Sequence, residues 1–155
     1  MPVPPDVVAA RHRVDAAFAR AGTLAAGDIE LQADFAKYLC VLVSGYIEVA
    51  VTQLAVQHCQ SRAAPTVHTY ASSMLDRLQN IKAERLLQLV ASFDPAWRTA
   101  LEAYIAGQRR DALDSVVDLR NKIAHGDYVG VTLHRIRDYY TSIQEILDFI
   151  EQQFD

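Results

Sequence analysis

From Thr132 onward, Leu133, Ile136, Tyr140, Ile143, Leu147, Ile150 and Phe154 follow one another in unbroken three- and four-residue steps. That spacing lays them along one stripe of an α-helix and would scatter them over both faces of a strand. The segment is therefore expected to be a helix with one side buried, and Thr132 stands where an N-cap hydroxyl is wanted. A stripe of this length needs partner helices, and the chain upstream supplies two. Between Arg109 and Ala124 the apolar positions Leu113, Val116, Val117, Leu119, Ile123 and Ala124 recur in the same way up to Gly126, which reads as a stop. Gly27-Asp28 opens a much longer helical pattern through about Arg62, apolar on most of its surface between Tyr38 and Val56. A helix that is apolar all round belongs in the middle of a bundle or in a subunit interface.

The remaining segments add shorter helices. PPDVV has the form of a helix start, giving an N-terminal helix to about Ala21, before Gly22, within residues 1–27. Pro65 breaks the long helix, and Thr66 reads as the cap of a short helix carrying Met74, Leu75 and Leu78. Asn80 reads as the cap of another, through Leu86, Leu87, Leu89 and Val90 to Phe93. Asp94-Pro95 is a cap followed by a first-turn proline, so a further helix with Trp97, Leu101 and Ile105 should run to Gly107. No strand alternation, internal repeat or low-complexity tract competes. The expected fold is all-α: one domain over residues 1–155, an up-and-down bundle whose core comes from the long second helix, the 109–125 helix and the C-terminal helix, with residues 63–107 as a helical excursion.

With 155 residues, 51% of them apolar, the chain can bury a sound core without disulfide or metal. The run YLCVLVSGYIEVAV spans only about fourteen residues and contains Ser44, Gly45 and Glu48, against roughly twenty apolar residues for a membrane span. It reads as a buried helix, with no membrane as partner. MPVPPD shows no basic region ahead of an apolar core, so a cytoplasmic location is expected. Cys40 and Cys59 lie on the same helical segment about 28 Å apart, too far to bridge. No closely spaced His/Cys set suggests a metal, and His12, His58 and His68 are scattered. Nucleophile-elbow, phosphate-loop and dinucleotide glycine patterns are absent, so no cofactor is expected and most enzyme classes drop out.

The formal net charge of −4 argues against a protein that coats nucleic acid. The charge is uneven, however: Gly107 to Arg137 holds six arginines and lysines against four aspartates, a local +2 that leaves −6 elsewhere. Within that window lies LRNKIAHGDY, residues 119–128. Asn121 and His125, four apart, share one helix face. Arg120 falls in register with Val116, Val117, Ile123 and Ala124, so its guanidinium should enter a bundle seam or an interface and find an acceptor there. Glu48, set among apolar neighbours in GYIEVAV, is the expected acceptor.

RNKIAHG, preceded by the helical VVDL and followed by a short turn and a long amphipathic helix, resembles the Arg-x(4–6)-His motif of the HEPN superfamily. It is most similar to the RiboL-PSP-HEPN type, which SGYIE at 44–48 also fits, and the resemblance covers about residues 30–154. It implies an all-α bundle that forms a homodimer with two such motifs facing one cleft. In active members it implies a metal-independent endoribonuclease that acts on RNA, of the toxin or defence-effector kind, with an antitoxin protein as a further partner. Arg120 and His125 would then be the catalytic pair and Asn121 the auxiliary polar residue. A supporting role for Glu48 follows from charge burial rather than from the family. The family also holds members that bind a nucleotide or a protein without cutting RNA, which is the alternative reading.

The residue types suit the chemistry independently. Cleaving RNA without a metal needs a proton-transfer group active near neutral pH and a cation to offset charge on the pentacoordinate phosphate, and histidine and arginine meet those needs. Lys122, Tyr128, His134 and Arg135 are candidate RNA contacts, with Tyr128 in the turn as the base-stacking candidate. Tyr140 belongs to the apolar stripe.

Overall fold

The computed structural model describes residues 1–24 and 26–155. Among them are seven helices and no strand: α1 (Pro5–Leu24), α2 (Ile29–Arg62), α3 (Pro65–Leu75), α4 (Ala83–Phe93), α5 (Pro95–Ile105), α6 (Gln108–Ala124) and α7 (Leu133–Phe154). Several helix starts rest on the residues that the sequence singles out. Asp28 accepts the Leu31 N–H at 3.0 Å, Asp94 accepts that of Ala96 at 2.8 Å ahead of Pro95, and Thr132 Oγ1 accepts that of Arg135 at 3.1 Å. Each satisfies one amide that the first helical turn leaves unpaired.

Side-chain pairings fix the helix directions. The His58 Nδ1–H donates to the Phe154 carbonyl at 2.7 Å, and the Tyr46 ring stands 6.2 Å from that of Tyr140. Positions on α2 and α7 therefore ascend together, and the two helices run parallel. Against α7, α1 descends: the Tyr140 hydroxyl donates to Asp15 at 2.6 Å, and Arg11 lies 3.9 Å from Asp148. Because the hairpin between α6 and α7 is short, α6 runs antiparallel to α7 and hence to α2. The Cys40 thiol donates to the Val116 carbonyl at 3.6 Å, which sets the register of the α2–α6 pair.

The core is one continuous cluster, to which α2 contributes ten buried residues and α7 seven, including Ile136, Tyr140, Ile143, Leu147, Ile150 and Phe154 of the predicted stripe. By length and composition α2 could cross a membrane, yet α1, α3, α6 and α7 all pack on it. Burial pushes the Cys40 thiol up to about 12, so it stays protonated. At one end of the bundle Phe93, Trp97 and Phe154 enclose the His58 ring, each with its centroid 5.4–5.5 Å away.

Several expected boundaries differ: α3 ends at Leu75, short of Leu78, and α5 ends at Ile105, short of Gly107. Helix α1 continues through Gly22 to Leu24. Thr66 does not cap α3, which begins at Pro65 with Ala64 before it and no side-chain cap. Asn80 is not a cap either: it adopts φ 51, in the left-handed region that asparagine tolerates, and α4 begins after Lys82. The cap comes from another helix, since Asp114 of α6 accepts the Ala83 N–H at 2.8 Å while Asp118 pairs with Lys82. Local sequence cannot reveal a cap donated across 31 residues. Replacing Asp114 with alanine leaves that half-buried amide unpaired and is expected to cost about 1–2 kcal/mol, read as a lower urea midpoint at unchanged m-value.

Candidate functional site at the α6–α7 hairpin

Helix α6 ends in a full Schellman arrangement. His125 is the C-cap, the Gly126 N–H donates to the Ile123 carbonyl at 3.1 Å, and the Asp127 N–H donates to that of Lys122 at 2.9 Å. Gly126 has φ 78, a conformation that costs other residues about 1–2 kcal/mol. Gly126→Ala is accordingly expected to lower the unfolding free energy by about 1 kcal/mol in urea titration. The glycine stop sets where α6 ends and brings the chain round through Tyr128 to the start of α7. The cationic end of α6 and His134 and Arg135 of α7 therefore share one end of the bundle.

Arg120 is exposed, and its Nη1 donates to Asn121 Oδ1 at 3.3 Å, so the half-buried asparagine steadies the guanidinium. His125 is exposed too, one turn beyond Asn121, to whose carbonyl its backbone N–H donates at 3.1 Å. Along α6, Arg120 and His125 are separated by a rise of roughly 7.5 Å and a rotation of about 140°. An imidazole and a guanidinium thus stand on the open surface of the protomer, able to move a proton and to hold an anionic oxygen. Lys122 and Tyr128 are exposed beside them, Tyr128 at 91%. His134 lies 3.4 Å from Asp138, and the Arg135 guanidinium lies 5.9 Å from the Tyr139 ring centre.

Two expectations are corrected. Arg120 does not enter a bundle seam: α6 is fully covered only as far as Val117, and the same face emerges uncovered at Arg120 and Ala124. Nor does Glu48 pair with Arg120. Its Oε1 accepts the Asn80 N–H at 3.3 Å, so the carboxylate holds the loop before α4. The antiparallel register explains the separation. With Val116 opposite Cys40, Arg120 stands about one turn further toward the α2 N-terminus, whereas Glu48 lies about two turns the other way.

Other cations of the window are engaged elsewhere. Arg109 donates to Glu145 at 2.7 Å and lies 4.2 Å from the centre of the Tyr104 ring, while Arg110 lies 3.6 Å from Glu84. They tie α6 to α7 and α4. Among the described residues Arg120 and Lys122 have no carboxylate partner, so both cations at the end of α6 are available to an anion. Sequence reasoning placed α2 in a bundle centre or a subunit interface without saying which residues would be left open; Leu31, Tyr38 and Val41 are exposed and a side chain at Gly45 would meet nothing within 4 Å. The signal for an open face was a helix too apolar to be covered on every side by one protomer.

Among the described residues no group of three His, Cys, Asp or Glu side chains could hold a metal ion. An all-helical bundle whose sixth helix ends on Arg-Asn-Lys-Ile-Ala-His-Gly agrees with the comparison by family, in which the model described as RiboL-PSP-HEPN matches residues 16–155. The chain belongs to the RiboL-PSP-HEPN family. The match takes in α2 to α7 and the second half of α1, so the RiboL-PSP-HEPN segment begins earlier than the residue near 30 from which the sequence resemblance runs. No curated protein and no solved structure matches the chain. Family membership gives the RiboL-PSP-HEPN chain a ribonuclease or nucleotide-binding role in outline.

Proposed function

We propose that the protein is a metal-independent endoribonuclease that works as a homodimer, with the Arg120 and His125 of both copies around one scissile phosphate. The observation that carries this reading is the uncovered continuation of the α6 face. Arg120 and Ala124 extend the stripe that buries Val116 and Val117, yet nothing in the protomer covers them, and exposed Leu31, Tyr38 and Val41 stand on the part of α2 alongside. A second copy seated there would dry the guanidinium's surroundings, where its charge acts more strongly than in water.

In this mechanism one His125 takes the proton of a ribose 2′-OH as that oxygen bonds to the adjacent phosphorus. The bond from phosphorus to the 5′-oxygen breaks, and the other copy's His125 gives that oxygen a proton. The products are a 2′,3′-cyclic phosphate and a 5′-OH end. Arg120, held by Asn121, grips the nonbridging oxygens through charge-assisted hydrogen bonds. Lys122, Tyr128, His134 and Arg135 guide the strand. A toxin or defence effector is the biological role that fits such an activity, and growth arrest upon expression would accompany it.

The test is cleavage of cellular RNA in excess EDTA, with end analysis of the products and sedimentation of the protein. Cyclic-phosphate ends released by a dimer support the reading. A folded protein that is strictly monomeric, or a dimer that cuts no RNA, overturns it and leaves a binder of nucleotide or protein.

A further inference from the structure

Away from the hairpin, α1, α2 and α7 enclose a cavity of about 330 Å³, within the size range of small-molecule sites. Its apolar wall is formed by Val7, Ala50, Leu54 and Leu147, and its charged rim by Arg11, His12, Asp15, Asp148 and Glu151. Three carboxylates against one guanidinium give the rim a net charge of −2 with His12 neutral. Those carboxylates are incompletely answered: Asp15 accepts the Tyr140 hydroxyl at 2.6 Å, Arg11 reaches Asp148 only at 3.9 Å, and Glu151 has no ion pair among the described residues.

A second observation is independent of the acidic rim. Tyr46 lines the same cavity at 4% exposure, and among the described residues its hydroxyl has no hydrogen-bond partner. The oxygen itself is not sealed off, since the fully buried side-chain atom without a partner among the described residues is Gln153 Oε1, so the Tyr46 hydroxyl opens onto the cavity. Arg11, Asp148, Asp15 and Glu151, which line the cavity with Tyr46, are the charges that act on this hydroxyl. Burial is the main cause that pushes Tyr46 above its ordinary value, and the group remains a neutral phenol with a free lone pair.

We propose that this cavity binds a small aliphatic amine in its ammonium form, the ammonium donating to the Tyr46 oxygen and to the Asp148 and Glu151 carboxylates. The methylene chain lies on Val7, Ala50, Leu54 and Leu147, as an amphipathic cation prefers. An anion would meet Arg11 but also the three carboxylates, and a purely apolar ligand would leave the Tyr46 hydroxyl unanswered. Arg11, His12 and Asp15 precede residue 16, so the site is built partly from α1 sequence outside the family match. None of its residues belongs to the proposed cleavage site, and the two readings stand or fall separately.

Cadaverine is the probe, titrated calorimetrically into the full chain at about 0.15 M salt, where loose surface attraction is screened. Saturable binding with a raised Tm is expected. The double variant D148N/E151Q should bind at least about tenfold more weakly and Y46F about threefold more weakly, through loss of charge-assisted and neutral hydrogen bonds respectively. Circular dichroism without amine should be the same for all three proteins. Glutarate, of similar length and opposite charge, should not bind. The proposal is overturned if folded wild-type protein shows no saturable uptake of cadaverine, if D148N/E151Q binds it equally well, or if glutarate binds in its place.

Discussion

Replacing His125 with alanine is expected to lower the rate constant for RNA cleavage about a hundredfold or more, the usual scale for loss of a general acid or base. Arg120→Ala should cost a similar factor by removing a charge-assisted grip on the phosphate. Neither loss should come from unfolding. Both side chains are exposed, and the one side-chain hydrogen bond between Arg120 and Asn121 is long at 3.3 Å, so each variant should retain wild-type stability within about 0.5 kcal/mol. Activity measured on single-turnover RNA substrate, beside urea unfolding of the same preparations, separates the two effects. Wild-type cleavage by either variant would remove that residue from the mechanism.

Leu39→Ala is expected to have the largest effect on stability. Leu39 is wholly buried in α2, the helix against which α1, α3, α6 and α7 all pack, and the hole left behind would be lined by rigid neighbours. Such truncations cost about 2–5 kcal/mol, and a chain of this size should lose roughly 5–15 °C in Tm. Because one continuous core joins the helices, the loss should appear as an earlier single transition in both circular dichroism and fluorescence.

Where local physics decides the outcome, the sequence was sufficient to read it. The three- and four-residue spacing after Thr132 becomes a buried stripe, Asp94-Pro95 starts a helix, and Gly126 stops one. Arg120 shows where periodicity fails. Its angular position lies within the buried arc of α6, but burial also needs a neighbour at the same height, and past Val117 the protomer still packs on Leu119 and Ile123 while leaving Arg120 and Ala124 exposed. Pairing by charge alone misled in the same way, because Glu48 and Arg120 lie at different levels of an antiparallel pair whose register only packing sets. The cap that Asp114 gives to Ala83 and the cavity beside Tyr46 depend on elements remote in the chain, and no short motif announces either.

The single tryptophan, Trp97, stands against Phe93, Phe154 and the His58 ring, on the side of the molecule remote from His125. An indole so placed is a built-in optical gauge of whether α2, α5 and α7 remain assembled there. It should be silent when a nucleic acid strand touches the hairpin, so emission spectra can follow denaturation of substrate-loaded samples without a contribution from the ligand contact itself.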